Sequence, residues 1–312
     1  MLVDGLVGPT QFVEGPDGSL IIAQLNGDED AKSGQIVLVD RSTGSKVVLV
    51  DGLDKPTGVA LLNGSLWIMV RRGLLRVTWD GSHSRTASPE VVLESLPYNG
   101  RSEGTLTALS DGRLLYETSG ELTGTVETGS VTPGSGTLFV FDPATSRSAV
   151  VASGTKHAYS HAVVAGNRVV TTEIGAGPGV HPSDELNVVD LSTPADLGWP
   201  KCPFDRNSDP ECSNAVAPIS VFPPDSTPTG VVVDGKYAYV ALFVLGTIVR
   251  IPIASWKTGE PPAPYETAAT GLDGPHSVFI DGNGNLLVSE HMAGRILSYD
   301  LSGTRKPKIS TP

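Results

Sequence analysis

Histidines and charged side chains recur at equivalent points of a strand pattern in this 312-residue chain, and they are its best-placed means of doing chemistry near neutral pH. An imidazole carries a proton across that range or ligates a metal. Five of the six histidines, His157, His161, His181, His276 and His291, fall in loops that enter a first strand or join a second strand to a third; only His83 falls elsewhere. His161 and His276 stand where first strands begin, which makes them the expected acid-base groups, although a loop histidine is more often simply solvated or hydrogen-bonded. Glu103 and Glu173 are the carboxylates nearest to them in the pattern, and Arg71, Arg101, Lys156 and His157 supply positive charge to the same loops. The Gly-rich stretch from Ile174 to Ser183, with Asp184-Glu185 behind it, offers backbone carbonyls and carboxylates to a calcium ion. An unliganded loop capped by acidic residues is an equal reading of that stretch. No Gly-x-Ser-x-Gly elbow, His-Glu-x-x-His, Walker loop or Cys-x-x-Cys occurs. The run Gly175-Ala-Gly-Pro-Gly lacks the helix that a dinucleotide fingerprint requires.

The elements that must position these residues are short strands. The stretch 53–80, LDKPTGVALLNGSLWIMVRRGLLRVTWD, holds three of them separated by turn residues, and it recurs with variations. The other copies begin at Gly8, near Gly104, at His161, at Pro228 and at Pro275. A further apolar segment lies between most copies: Lys46 to Val50, Val91 to Leu93, Ala149 to Ala152 and Ile219 to Phe222. Four strands in each of six units predict an all-β chain, a single domain over 1–312 folded as a six-bladed β-propeller of four-stranded antiparallel blades. The last unit has no fourth strand of its own, and Leu2-Val3-Asp4-Gly5-Leu6 resembles Leu49 to Leu53, so the N-terminal strand is expected to close the last blade. Insertions at Glu121 to Ser135 and Ile174 to Ser183 extend loops on the face that carries the histidines, where binding sites are usually built.

Composition narrows the partners. Lys+Arg 22 against Asp+Glu 34 gives a net charge of -12, which repels nucleic acid and anionic membrane surfaces. No apolar run reaches the roughly 18 residues of a membrane span, and the first residues lack the features of a signal peptide, which is expected to have been removed. Cys202 and Cys212 flank the turn-rich loop CPFDRNSDPEC and are expected to form a disulfide, which suggests a secreted or periplasmic protein; two free thiols are the alternative.

One region resembles a known family. Asp184-Glu185-Leu186-Asn187, Gly198-Trp199-Pro200, the cysteine pair and Ser226-Thr227-Pro228 are similar to the soluble sugar dehydrogenases dependent on pyrroloquinoline quinone (PQQ), the glucose and sorbosone dehydrogenase group. The closing run from Pro275 is similar to that family's last blade. The resemblance implies a six-bladed propeller, a calcium ion held in part by the backbone at Gly177 and Pro178, and a quinone over the channel. Arg71, Arg101, Lys156 or His157 would pair with its carboxylates. In the family a catalytic histidine stands just before the third inner strand; here the phrase is Arg101-Ser-Glu-Gly-Thr-Leu. A guanidinium cannot act as that base, so the role would pass to Glu103 or His161. The expected activity is oxidation of a small-molecule sugar or alcohol at the channel mouth. The alternative is a propeller without the quinone that runs lactonase, lyase or cyclase chemistry from His161, His276, Glu103 and Glu173, or binds a small molecule.

Overall fold

The computed structural model describes residues 1–98, 103–120, 134–175, 184–200, 202, 210–256 and 262–301. Its sheets are the blades that the repeat predicts. Blade 1 is β1 (Pro9–Glu14), β2 (Leu20–Gln24), β3 (Gly34–Val39) and β4 (Lys46–Leu53), and blade 2 is β5 (Gly58–Leu62), β6 (Ser65–Val70), β7 (Gly73–Thr78) and β8 (Glu90–Leu93). Blade 3 holds β9 (Thr107–Ala108), β10 (Leu114–Thr118), β11 (Thr137–Asp142) and β12 (Arg147–Ser153). Blade 4 holds β13 (His161–Ala165), β14 (Arg168–Glu173), β15 (Glu185–Asp190) and β17 (Ser220–Val221). Blade 5 is β18 (Pro228–Val233), β19 (Tyr237–Leu242), β20 (Thr247–Pro252) and β21 (Glu266–Thr270); blade 6 is β22 (Pro275–Ile280), β23 (Asn285–Glu290) and β24 (Arg295–Asp300).

Two features depart from the plain repeat. A short strand, β16 (Ala195–Asp196), leaves the blade 4 connection and pairs in parallel with β12, so blade 3 has five strands. In blade 6 the outer edge of β24 is met by the N-terminal segment, where Val3 bridges Ile296 in both directions. The ring is therefore tied by its own two ends, as expected.

Second strands are buried along their length, as in Leu20–Gln24 and Ser65–Val70, because they lie between two neighbouring blades as well as two strands. The core is accordingly divided into wedges. Ile21, Leu38, Val59 and Ile68 pack blade 1 on blade 2, Trp67, Met69, Leu106 and Phe141 pack blade 2 on blade 3, and Phe12, Ile22, Leu287 and Ile296 pack blade 6 on blade 1. At Asn63-Gly64, where the sequence puts a hairpin turn, both residues take positive φ (50° and 69°), as an Asn-Gly hairpin needs.

The recurrent Pro-Thr phrase at the start of the inner strands stitches these wedges together. Thr10 Oγ1 donates to the carbonyl of Pro56 (2.9 Å), Thr57 Oγ1 to Gly104 (3.0 Å) and Thr229 Oγ1 to Pro275 (3.2 Å), each bond reaching the next blade. Gly58 and Gly104 follow the same logic of close approach: a Cβ on Gly58 would lie 2.8 Å from the Leu106 nitrogen, and one on Gly104 would lie 2.3 Å from the Tyr159 carbonyl oxygen. In blade 6 the threonine is replaced by His276, whose Nδ1 makes the equivalent bond to the Thr10 carbonyl (2.9 Å).

Candidate functional site

That substitution opens the site. A carbonyl oxygen only accepts, so His276 carries its proton on Nδ1 and presents the Nε2 lone pair to Tyr159, whose hydroxyl lies 3.0 Å away. His291, from the turn between β23 and β24, is held in the same manner, with Nδ1 3.1 Å from the Pro9 carbonyl oxygen. The two imidazoles stack at 5.2 Å, and Phe243, from the turn between β19 and β20, sets its ring 6.0 Å from each. These rings form one wall of a cavity of about 510 Å³ at the mouth of the channel.

Much of the remaining lining is charged. Lys55 enters ahead of β5 and pairs with Glu29; Lys156 enters ahead of β13 and donates to the carbonyl of Gly175. His157, Asp184 and Asp225 complete the polar side, with Thr10, Thr57 and Thr229 nearest the channel. The cavity thus joins two ammonium groups and three carboxylates to a wall of neutral rings.

Burial sets the protonation of the ring wall. It lowers His276 to about 3, helped by the nearby His291 and opposed by the bond to Thr10, and burial lowers His291 as well. Both rings are neutral at pH 7 and act as proton acceptors at Nε2. Burial raises the Tyr159 hydroxyl far above the ordinary phenol range, and the charges of Glu117, Glu29 and Glu103 add to this, so it remains a donor to His276.

Beneath the charged wall lies a shell of buried carboxyls that hold loops. Glu173 Oε1 accepts from the backbone nitrogens of Lys156 (2.6 Å) and His157 (3.1 Å), and Glu103 Oε1 accepts from that of Arg72 (2.8 Å). Gln24 and Glu290, at the same strand ends of blades 1 and 6, take the backbone nitrogens of Val7 and Asp273. Glu117 faces His157, with Oε1 2.9 Å from Nδ1. Burial raises Glu103 to about 7 and Glu173 to about 8, in each case against the lowering effect of the backbone N–H groups.

The residues expected from the sequence divide accordingly. His276, Lys156, His157 and Asp184 line the cavity. Glu103 does not; it is buried under the turn at Arg72. His161 is also buried, with Nδ1 2.8 Å from Thr107 Oγ1 and Nε2 without a hydrogen-bond partner among the described residues. Arg71 stands outside the cavity, with its guanidinium on Asp30 (2.6 Å) and Asp54 (3.1 Å) and over the Tyr98 ring. Asp184 is a loop anchor: Oδ1 accepts from Gly175 N, and Oδ2 from Ser226 Oγ and Thr227 N. Glu185 lies in β15 opposite Glu173, next to Asn187. Among the described residues no three His, Cys, Asp or Glu side chains are grouped to hold a metal. Arg101, Gly177, Pro178 and His181 lie outside the described residues. Cys202 and Cys212 are bonded, with Cα atoms 5.5 Å apart.

Sequence reasoning passed over Lys55 and Phe243 and gave Tyr159 no role of its own. Lys55 was hidden because it precedes the plainest Pro-Thr-Gly in the chain; the signal for Tyr159 is its place two residues before His161, where the chain crosses into the inner strand.

No protein-family model and no curated protein sequence matches the chain. Solved structures do. A PQQ-bound aldose sugar dehydrogenase from Streptomyces coelicolor is 19% identical with a TM-score of 0.75, over 97% of this chain and 93% of the other. The PQQ domain of pyranose dehydrogenase from Coprinopsis cinerea, in its holo form, is 14% identical with a TM-score of 0.75, over 95% and 93%. A calcium structure of a carbohydrate-active enzyme of family AA12 from Trichoderma reesei is 15% identical with a TM-score of 0.73, over 95% and 93%. These likenesses establish the fold that the repeat and the family resemblance led us to expect.

Proposed function

We propose that the protein is a quinone-dependent oxidoreductase of the sugar dehydrogenase kind, oxidising a sugar or other alcohol at the channel mouth. The observation that carries this reading is the cavity itself: two lysines and a wall of neutral rings at the top of the channel, on a fold shared with PQQ-bound proteins. The donor set suits a flat polyanion, since Lys55 and Lys156 answer carboxylates, while Phe243, His276 and His291 offer faces and edges to a ring system. When bound, the quinone would accept two electrons and hydrogen from the alcohol carbon. Arg101 could not take the hydroxyl proton, and Glu103 and His161 do not reach the cavity. His291 Nε2 is the better base, because its Nδ1 proton is fixed on Pro9 and its ring is neutral at pH 7. The hydrogen-bonded pair Tyr159 and His276 orients the substrate hydroxyl and holds the adjacent charge constant. Calcium fits less well: Asp184 already accepts three hydrogen bonds, no three potential ligand side chains are grouped among the described residues, and no step is assigned to a metal.

A second reading is supported by the same pair. With its proton on His276, Tyr159 offers its oxygen as an acceptor to a ligand hydroxyl, which suits binding of a small molecule without a quinone. The disulfide suits a secreted or periplasmic protein acting on a small molecule. Reconstitution with PQQ and calcium, followed by reduction of an electron-accepting dye over a panel of aldoses and polyols, tests the first reading. Turnover that needs the quinone and is lost in His291→Gln supports it; no quinone-dependent dye reduction with any of them refutes it.

A further inference from the structure

The rim of the cavity is divided as sharply as its walls. After the second strand, the turns of blades 1 to 4 begin Leu25-Asn26-Gly27, Arg71-Arg72-Gly73, Ser119-Gly120 and Ile174-Gly175, whereas blades 5 and 6 turn through Phe243-Val244-Leu245-Gly246 and His291-Met292-Ala293-Gly294. Val244, Leu245 and Met292 are exposed (61%, 47% and 66%), although large apolar side chains gain from burial. They are continuous with the cavity. Gly274 brings Met292 and the Phe243 ring together, since a Cβ there would lie 2.8 Å from one and 3.0 Å from the other. Gly8 does the same for His291 and Leu25, and Val7, 47% exposed, adjoins them through the bond from Asn26 N to its carbonyl. An apolar ledge therefore runs from Val7 and Leu25 past the stacked imidazoles to Phe243, Met292, Val244 and Leu245.

We infer that this ledge is a subsite for an apolar substituent, so that the substrate is an amphipathic alcohol, such as an alkyl or aryl glycoside, rather than a bare sugar. The inference rests on the reading of the cavity as the site of a hydroxylated small molecule. The occupant is set by geometry: Phe243 and Leu25 belong both to the cavity lining and to the ledge, so a molecule whose hydroxyl reaches His291 lays its substituent along Phe243 and Met292. A polar sugar leaves the ledge wet; an alkyl chain of four or more carbons covers it.

Calorimetric titration with two homologous series separates the ledge from the sugar reading. One series is methyl, butyl, hexyl and octyl glucoside below their micelle-forming concentrations; the other is 1-butanol, 1-hexanol and 1-octanol. A methylene removed from water on a half-open ledge tightens binding about twofold, so octyl glucoside should bind at least about tenfold more tightly than methyl glucoside. The alkanols should show the same slope. In the variant V244S/L245S/M292S, whose positions are exposed and lie outside the proposed catalytic groups, the octyl advantage should fall below about threefold while methyl glucoside binds as before. A chain-length slope for alkanols with no glucoside binding would sink the sugar reading and leave the ledge standing. Equal affinity along both series, or a slope unchanged in the variant, would overturn the ledge, as would a dimer of the wild-type chain that the triple variant abolishes, since that would make the ledge a surface for a second copy.

Discussion

Replacing Glu173 by glutamine isolates the buried carboxyl that holds the charged wall of the cavity. Its Oε1 pins the backbone of Lys156 and His157, and burial raises its pKa to about 8. In the unfolded chain the carboxyl ionises near its model value of 4.5. Between those values the folded state binds the extra proton, so stability is greatest below the unfolded pKa and is lost as pH rises toward 8. At about 1.4 kcal/mol per pH unit per proton, and with titration half complete at pH 8, Glu173 alone removes about 2 kcal/mol between pH 6 and pH 8. Glu103, raised to about 7, removes about 1.4 kcal/mol over the same interval. Glu173→Gln keeps the acceptor for both backbone N–H groups and cannot ionise. Its stability should exceed that of wild type by about 2 kcal/mol at pH 6, to within the ~1 kcal/mol that exchanging the acceptor moves, and its change on going to pH 8 should be about 2 kcal/mol less unfavourable than that of wild type. Urea unfolding at the two pH values reads both numbers. Glu173→Ala, which strands both backbone donors, should cost about 1–3 kcal/mol for each relative to Glu173→Gln at pH 6. An undiminished loss in Glu173→Gln between pH 6 and 8 would refute a buried, neutral Glu173.

The remaining predictions concern the pH window, the ring, the site and the disulfide. His161 and His276, lowered to about 3 by burial, oppose folding as pH falls below their unfolded value of 6.5, whereas Glu103 and Glu173 oppose it above 4.5. The two effects offset each other between those limits, so melting temperatures from pH 3.5 to 8.5 should plateau at about 4.5–6.5 and fall on both sides; a maximum above pH 7.5 would contradict the burial of these four groups. Thr57→Val removes the bond from blade 2 to Gly104 and should lower stability by about 1–3 kcal/mol in chemical unfolding, and a neutral result would show that the hydroxyl ring contributes nothing. Tyr159→Phe should lower turnover about 100-fold, because it removes the hydroxyl that orients the substrate, and should cost about 1–3 kcal/mol in unfolding, because it strands the buried His276 Nε2; unchanged turnover would take Tyr159 out of the site. Replacing Cys202 and Cys212 by serine, at a sequence separation of 10, should cost about 2–3 kcal/mol in unfolding and leave substrate affinity unchanged.

The propeller was legible because its punctuation is local. Pro-Thr-Gly, Asn-Gly and the β-rich runs between them each state a turn or a strand without help from distant residues. Elements whose identity comes from their neighbours were not legible in this way. Glu266–Thr270, ETAAT, becomes the outer strand of blade 5 although it carries little apolar signal, and Ala195–Asp196 becomes a fifth strand of blade 3 only because β12 leaves an edge open. The site divided along the same line. His276 was found from its place in the repeat, but its bond to Thr10, 266 residues away, is what fixes the tautomer. Arg71, Glu103 and His161 had the right chemistry in the right loops, yet strand direction and burial turned them toward Asp30, Arg72 and Thr107. Tyr159 had only its place before His161 as a signal, since its role depends on a histidine two blades further on.

The central claim, that the channel-mouth cavity receives a flat polyanionic quinone between its lysines and its ring wall, is tested most directly by equilibrium titration of PQQ into the protein with and without calcium. The account predicts saturable one-to-one binding, weakened about tenfold or more by Lys156→Gln and by Lys55→Gln, with His291→Gln failing to turn over. Absence of saturable binding at micromolar protein, or binding that neither lysine substitution weakens, would contradict it.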